Sequence, residues 1–398
     1  MPDKTRKGLV LPGAGARGAY QVGVLKAVAS LLPVGAPNPF NVISGSSAGA
    51  INAVVLAGRA ANFERAVADM EQVWANFKAE QVYRTDTWTM LKSSLHWLAA
   101  LVFGGLGVRN PRSLLDNTPL RELLQRNLRF DGIREAIARG QLDAVAVTAS
   151  GYTSARSVTF FQGRPEIKPW ARVRRIGRAA RLDIDHLMAS AAVPFVFPPV
   201  QLGGEFYGDG SMRHRAPLSS AIHLGADRLL VIGGRDERPD PEPSAGANPE
   251  APTLAHLSGY MLDTLFMDGL YTDLERLSRI NRILAELGPK QLTGSLAELR
   301  PLHTLLVVPK EDIRSVAMRY AHQLPRGIRL LLRGLGANSR SGMQLVSYLL
   351  FESGFTRALI EMGYRDALEM EDELRAFLFD QPMDTLYAPQ HLKFALDH

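Results

Sequence analysis

The chain contains no cysteine, which excludes disulfides and cysteine–zinc sites and leaves the redox context unread. It has no uncharged apolar run of the ~20 residues that a spanning helix requires. The start, Met1 to Lys7, is basic, but Gly13, Gly15, Arg17 and Gly18 break the apolar run that a secretory signal would need. The expected location is therefore cytoplasmic, with a peripheral contact at a membrane surface as the alternative. No His/Glu pair has zinc-ligand spacing and no EF-hand-like loop occurs, so neither metal nor cofactor is expected. Zinc-finger spacing, RNP-type motifs and dense Lys/Arg runs are also missing. The net charge of +6 over 398 residues is then read as a soluble surface, not a nucleic-acid footprint. No internal repeat is apparent.

What the chain does have is the composition of a folded protein, 46% hydrophobic and 22% charged, and a short stretch around which the rest is organised. Asn41 to Ala53 reads as the end of a buried strand running into a helix of small residues, with Gly45-x-Ser47-x-Gly49 between them. In such a turn the serine is forced onto a sharp strand-to-helix corner and its hydroxyl is exposed to a substrate. The helix N-terminus directs free N–H groups towards Ser47, which favours a developing oxyanion. Small neighbours are needed for so close a passage, and Gly45, Ala48, Gly49 and Ala50 supply them.

Upstream, Gly8 to Pro12 reads as a buried strand, Gly13-Ala14-Gly15-Ala-Arg17-Gly18 as a glycine loop, and Ala19 to Leu32 as a helix. This matches the dinucleotide pattern G-x-G-x-x-G literally. That pattern calls for an acidic residue ending the second strand; here the second strand runs directly into the serine turn. The loop is better read as a cradle of backbone N–H groups, in which Gly13, Ala14 and Gly15 approach a substrate oxygen.

Further along, Leu142–Ser150 and Ser157–Phe161 read as a hairpin, and Asp185–Ala192 as a short helix ended by Val193-Pro194. A proline-rich loop to Val200 follows, suited to wall an apolar tunnel or to pack a corner. A second hairpin, Gln201–Tyr207, delivers Gly208-Asp209-Gly210-Ser211. Trp88–Gly107, with aromatics and a glycine hinge, suits a lid, an interfacial segment or a core helix. Gly233–Thr253 is a proline-rich linker or loop. Leu254–Leu287 reads as one long helix, Leu302–Val308 as a late strand, and four further helices are expected at Ile313–Tyr320, Arg326–Arg333, Met343–Phe351 and Thr356–Phe379.

The Gly13–Gly18 loop, the Gly45–Gly49 serine turn, the Ser190–Pro199 stretch and Asp209-Gly210 occur in that order. In this the chain resembles the patatin-like phospholipase family over roughly residues 8–232. The resemblance implies an α/β fold: a three-layer α/β/α arrangement with a central, mostly parallel sheet. A mainly helical C-terminal region, residues 254–398, would pack on that core. It implies a lipid acyl hydrolase with a serine–aspartate dyad, a fatty-acyl ester as substrate, Ser47 as nucleophile, Asp209 as base and the Gly13–Gly15 backbone as oxyanion hole. Gly18, Gly45, Gly49, Gly210 and Ser211 would support the motifs; Ser211 stands where the family commonly has alanine or glycine. Arg17 would either attract a phosphate head group or brace its loop by hydrogen bonds to carbonyls. The rivals are a Ser-His-Asp esterase using His223, His256 or His303, and a non-enzymatic nucleotide- or membrane-binding protein.

Overall fold

A computed structural model describes residues 5–84, 113–235, 251–287, 299–337 and 342–389. The Trp88–Gly107 segment and most of the proline-rich linker fall outside these residues. The strands are β1 (Lys7–Leu11), β2 (Val42–Ser46), β3 (Ala144–Gly151), β4 (Ser157–Gly163), β5 (Trp170–Ala171), β6 (Arg175–Ala179), β7 (Val200–Leu202), β8 (Glu205–Gly208), β9 (Arg228–Ile232), β10 (His303–Val307) and β11 (Leu386–Tyr387). They form one sheet in the order β11-β10-β9-β1-β2-β3-β4-β6-β5, with β8 pairing β3 and β7 pairing β8. The run from β11 to β3 is parallel throughout. Antiparallel pairs occur at β3/β4, β3/β8, β5/β6 and β7/β8. Helices flank this sheet, as a mostly parallel sheet requires for its buried apolar strands: every residue of β1, β2 and β3 is buried.

Three helices set the frame of the first half: α1 (Gly18–Leu31), α2 (Ala48–Gly58) and α3 (Phe63–Ala75). The α3 helix begins where the Asn62 side chain caps the Arg65 N–H. It buries Phe63, Ala66, Val67, Met70 and Trp74, a helical stripe of three-to-four spacing. Nearly all of α1 is buried, because α3 lies against it and so does the helix Ser353–Leu368. The Tyr20 hydroxyl donates to Asp366 across that second contact at 3.2 Å.

The C-terminal part does more than cover the core. It adds β10 alongside β9, with Leu305 opposite Leu230. Two helices differ from the reading by periodicity. Leu254–Leu287 is broken by a π-helical turn over Thr264–Asp268 between Leu254–Asp263 and Gly269–Leu287, and Thr356–Phe379 is two helices, Ser353–Leu368 and Glu371–Leu378.

Register brings the loops that matter to one edge. Leu11 lies opposite Gly45, so the loop leaving β1 stands beside the turn leaving β2. Ser46 lies opposite Thr148 of β3. Strand β8 then runs antiparallel to β3, with Gly208 opposite Ser150, and returns the chain past Thr148. The C-terminal ends of β1 and β2 and the residues after β8 therefore converge, the usual place for a ligand in an open α/β sheet.

Candidate active site

Ser47 links β2 to α2 with φ 52° and ψ −128°. A positive φ in a serine is a strained conformation, costing on the order of 1–3 kcal/mol, and persists only where the surroundings enforce it. Gly49 is part of that enforcement: a Cβ there would stand 2.0 Å from the Leu11 carbonyl oxygen, so only glycine lets α2 start against the end of β1. Gly45 packs on the Gly49 backbone in the same corner. The Ser47 N–H donates to Ser190 Oγ at 2.9 Å, and Ser190 Oγ donates in turn to the Thr148 carbonyl at 2.6 Å.

Asp209 follows β8 and is buried. Its N–H donates to the Ala192 carbonyl at 2.8 Å, and its Oδ1 accepts the Ser211 N–H at 2.9 Å. Gly210 makes this placement possible, since a Cβ there would meet the Thr148 carbonyl oxygen at 2.0 Å. Burial pushes the Asp209 carboxyl up to about 6, against smaller lowering contributions from the Ser47 hydroxyl and from Ser211. Its Oδ2 has no donor in hydrogen-bonding geometry among the described residues. The Ser47 hydroxyl thus affects the carboxylate without forming a well-aligned hydrogen bond, a looseness common before substrate binds.

The glycine loop lies against the same corner. The Gly13 N–H donates to Ser46 Oγ at 3.0 Å, and Ser46 Oγ is 3.3 Å from Ser211 Oγ. The N–H groups of Ala14 and Gly15 have no acceptor among the described residues, and Gly15 takes a φ of 53°. Gly18 opens α1 against the Ala48 and Trp74 side chains.

The patatin-like phospholipase family model matches residues 9–222, which is more than half of the chain. The chain belongs to the patatin-like phospholipase family. Its structure aligns with that of VipD from Legionella pneumophila over 92% of this chain and 67% of that one, at 11% identity and a TM-score of 0.35. No curated protein matches it. Membership in the patatin-like family supports lipid acyl hydrolysis in general, and the site has a cavity of matching character. About 540 Å³ in volume, it is lined by Gly15 and Ser47 at one part and otherwise mainly by apolar side chains, among them Ile51, Val55, Trp74, Leu124, Phe197 and Phe266. Val193, Val196 and Phe197 of the proline-rich loop belong to this wall.

Arg17 of the patatin-like domain is buried, and its guanidinium is used up internally. It donates to Ser347 Oγ through Nε at 2.9 Å and Nη2 at 2.7 Å, to Asp263 Oδ1 at 3.2 Å and to the Tyr348 hydroxyl at 3.2 Å. The partners are side chains of the C-terminal region, not loop carbonyls. Arg235 and Gln344 also donate to Asp263. Sequence reasoning missed this cluster and the role of Ser190, because the partners lie far apart along the chain.

The three histidines considered from sequence have other surroundings. His223 stacks on Trp170 at 4.9 Å, His303 contacts the Asp384 carbonyl, and His256 lies in the first turn of the helix capped by Thr253. Among the described residues no metal-binding group of three or more His, Cys, Asp or Glu occurs, and no helix is long and apolar enough to cross a membrane.

Proposed function

We propose that the chain hydrolyses fatty-acyl esters, in the manner of a phospholipase A, lysophospholipase or carboxylesterase, through a Ser47–Asp209 dyad. Ser47 Oγ attacks the ester carbonyl carbon and its proton passes to Asp209 Oδ2. The carbonyl oxygen, now negative, is held by the N–H groups of Ala14 and Gly15 and by the start of α2, while the Gly13 N–H fixes Ser46 beneath them. The C–O bond to the alcohol breaks, and Asp209 returns the proton to the leaving oxygen. Water then gives a proton to Asp209 and attacks the acyl-enzyme, releasing the fatty acid and restoring Ser47.

The observation that carries this reading is a strained serine in the wall of a deep apolar cavity, beside a buried carboxylate whose proton affinity has been raised into the working range of a base. The acyl chain would lie in the apolar part of the cavity, where about 25 cal/mol per Å² of covered apolar surface holds it. A panel of esters of graded chain length, with several phospholipids and Ser47→Ala as the blank, tests the proposal. A fluorophosphonate probe should label Ser47; labelling that persists in Ser47→Ala, or maps to Ser46, refutes it.

The peripheral membrane contact is proposed for the helix Arg326–Gly334. This helix buries Ile328 and Leu332 but leaves Leu330 73% exposed in a segment carrying Arg326, Arg329 and Arg333, the composition of an interfacial helix.

A further inference from the structure

A second concavity, separate in lining from the first, has arginine as its only polar lining residue. It lies among the β5–β6 turn, the Gly210–Arg213 turn that follows Asp209, and the helix Gly269–Leu287. Arg172, Arg174, Arg175, Arg213, Arg215 and Arg276 line it, with a volume of about 660 Å³ and no carboxylate in the lining. None of the six has an ion-pair partner among the described residues. Exposed arginines elsewhere do find acids, such as Arg84 with Asp116 at 3.0 Å and Arg121 with Asp185 at 2.6 Å. One carboxylate, Asp273, is close enough to feel Arg175 and Arg276 and offsets part of this charge, but it makes no salt bridge with them and its Oδ2 accepts the Leu218 N–H at 3.0 Å. Neighbouring groups register the surplus of positive charge. The half-buried His214 is pushed down to about 4, by desolvation first and by Arg175 second, and His223 is lowered by burial first, with Arg172 and Arg175 adding to it.

Six like charges around one hollow repel one another, and an anion seated there relieves the repulsion. Guanidinium groups present forks that match phosphate oxygens two at a time. The remaining lining residues, Ala155, Val173, Met212, Ala216 and Leu265, offer no aromatic ring, so the stacking platform of a single-stranded nucleic-acid site is missing. The volume is that of a small-ligand site. We propose that this basin binds a compact, multiply charged phosphate group, carried either by a lipid head group or by a free phosphate compound.

The test is calorimetric titration of the full chain with two probes, inorganic pyrophosphate and a water-soluble short-chain phosphatidic acid. Arg175→Gln/Arg213→Gln is compared with Arg126→Gln/Arg134→Gln, which removes the same charge from paired surface positions. The basin variant should weaken binding by at least about tenfold, as expected for lost charge-assisted hydrogen bonds, and the control should leave it unchanged. Pyrophosphate should also raise the melting temperature of the unaltered chain and not that of the variant. If the basin variant is poorly folded, Arg174→Glu at the exposed hairpin tip reads the same loss. Binding of pyrophosphate alone assigns a free phosphate; tighter binding of phosphatidic acid assigns a head group. No binding of either probe, or equal loss in the control, overturns the proposal. Hydrolysis of a soluble ester reports on Ser47 and Asp209 separately, so failure of one proposal leaves the other intact.

Discussion

Ser190 holds Ser47 by its backbone: Ser190 Oγ accepts the Ser47 N–H at 2.9 Å and donates its own O–H to the Thr148 carbonyl at 2.6 Å. All three residues are buried, so a missing link leaves the Ser47 N–H without its acceptor. Ser190→Ala should destabilise the fold by roughly 1–3 kcal/mol. It should also let the serine turn relax, lowering kcat by about ten- to a hundredfold. Ser190 does not line the acyl cavity, so KM should hardly move. An unchanged kcat would show that Ser47 is positioned by the glycines alone.

Asp209→Asn keeps the shape and removes the proposed base. The rate should fall by roughly the ~10²–10⁴ of general base catalysis, while His223→Ala, His256→Ala and His303→Ala each stay within a few-fold of the unaltered chain. The same variant should be more stable at neutral pH. Burial raises the Asp209 carboxyl from 3.8 to about 6, so the folded chain binds this proton more tightly than the unfolded one. Its destabilising effect is nil below pH ~4 and complete above pH ~6, up to about 3 kcal/mol. The stability gain of Asp209→Asn should therefore appear as pH rises through that window, and the activity of the unaltered chain should rise through the same window as the base loses its proton. A variant that is less stable at pH 7 than at pH 4, relative to the parent, would contradict this account.

The serine turn, the glycine loop, the aspartate turn and the positions of the main strands along the chain were legible because each is a local pattern. Gly45 and Gly49 are dictated by one corner of backbone, and the buried strands β1 to β3 are short apolar runs. Contacts between distant parts left no such trace. Nothing near Ser190 shows that its hydroxyl meets a residue 143 positions away, and nothing near Arg17 shows that its partner is Asp263. Strand β6 was missed because Arg-Ile-Gly-Arg-Ala has neither alternation nor an apolar run. The break at Thr264–Asp268 was missed because a π-helical turn adds a residue to the helical count while the apolar spacing continues on both sides.

Arg17 and Asp263 form a buried ion pair at 3.2 Å between the glycine loop and the C-terminal region. Removing Asp263 leaves the Arg17 charge without an acid in a dry place, which costs about 3–5 kcal/mol; removing Arg17 leaves Asp263 paired with Arg235 and hydrogen-bonded by Gln344 and Tyr348, and so costs less. Asp263→Asn should lower the melting temperature strongly and Arg17→Met less so, because Asp263 keeps Arg235; Arg17→Lys should not match the parent, because an ammonium cannot reach Ser347, Asp263 and Tyr348 together. The double variant should be clearly less destabilised than the sum of the single ones. Additive losses would mean that the two side chains act independently.

The helix Arg326–Gly334 is testable with vesicles. Binding to anionic vesicles should weaken at high salt and weaken further in Leu330→Ala, whose side chain is not part of the core. Equal binding by that variant would assign the contact to another surface.

Ile51 and Val55 line the cavity one turn apart on α2, which starts directly after Ser47, so they share a face and mark a path leading away from the proposed nucleophile. An acyl chain attached to Ser47 would run along that face, past Ile51 before Val55. Val55→Trp should fill the far part of the path and leave the space next to Ser47 open. The expected result is a change of chain-length preference: kcat/KM for long-chain esters falls by more than about tenfold, while short-chain esters are cleaved at nearly the original rate. Ile51→Trp, closer to the nucleophile, should cut the accepted length further. Each lost methylene contact is worth about 0.8 kcal/mol, so the discrimination should grow with every carbon beyond the block. A uniform loss across all chain lengths would instead show that the acyl group takes another route through the cavity.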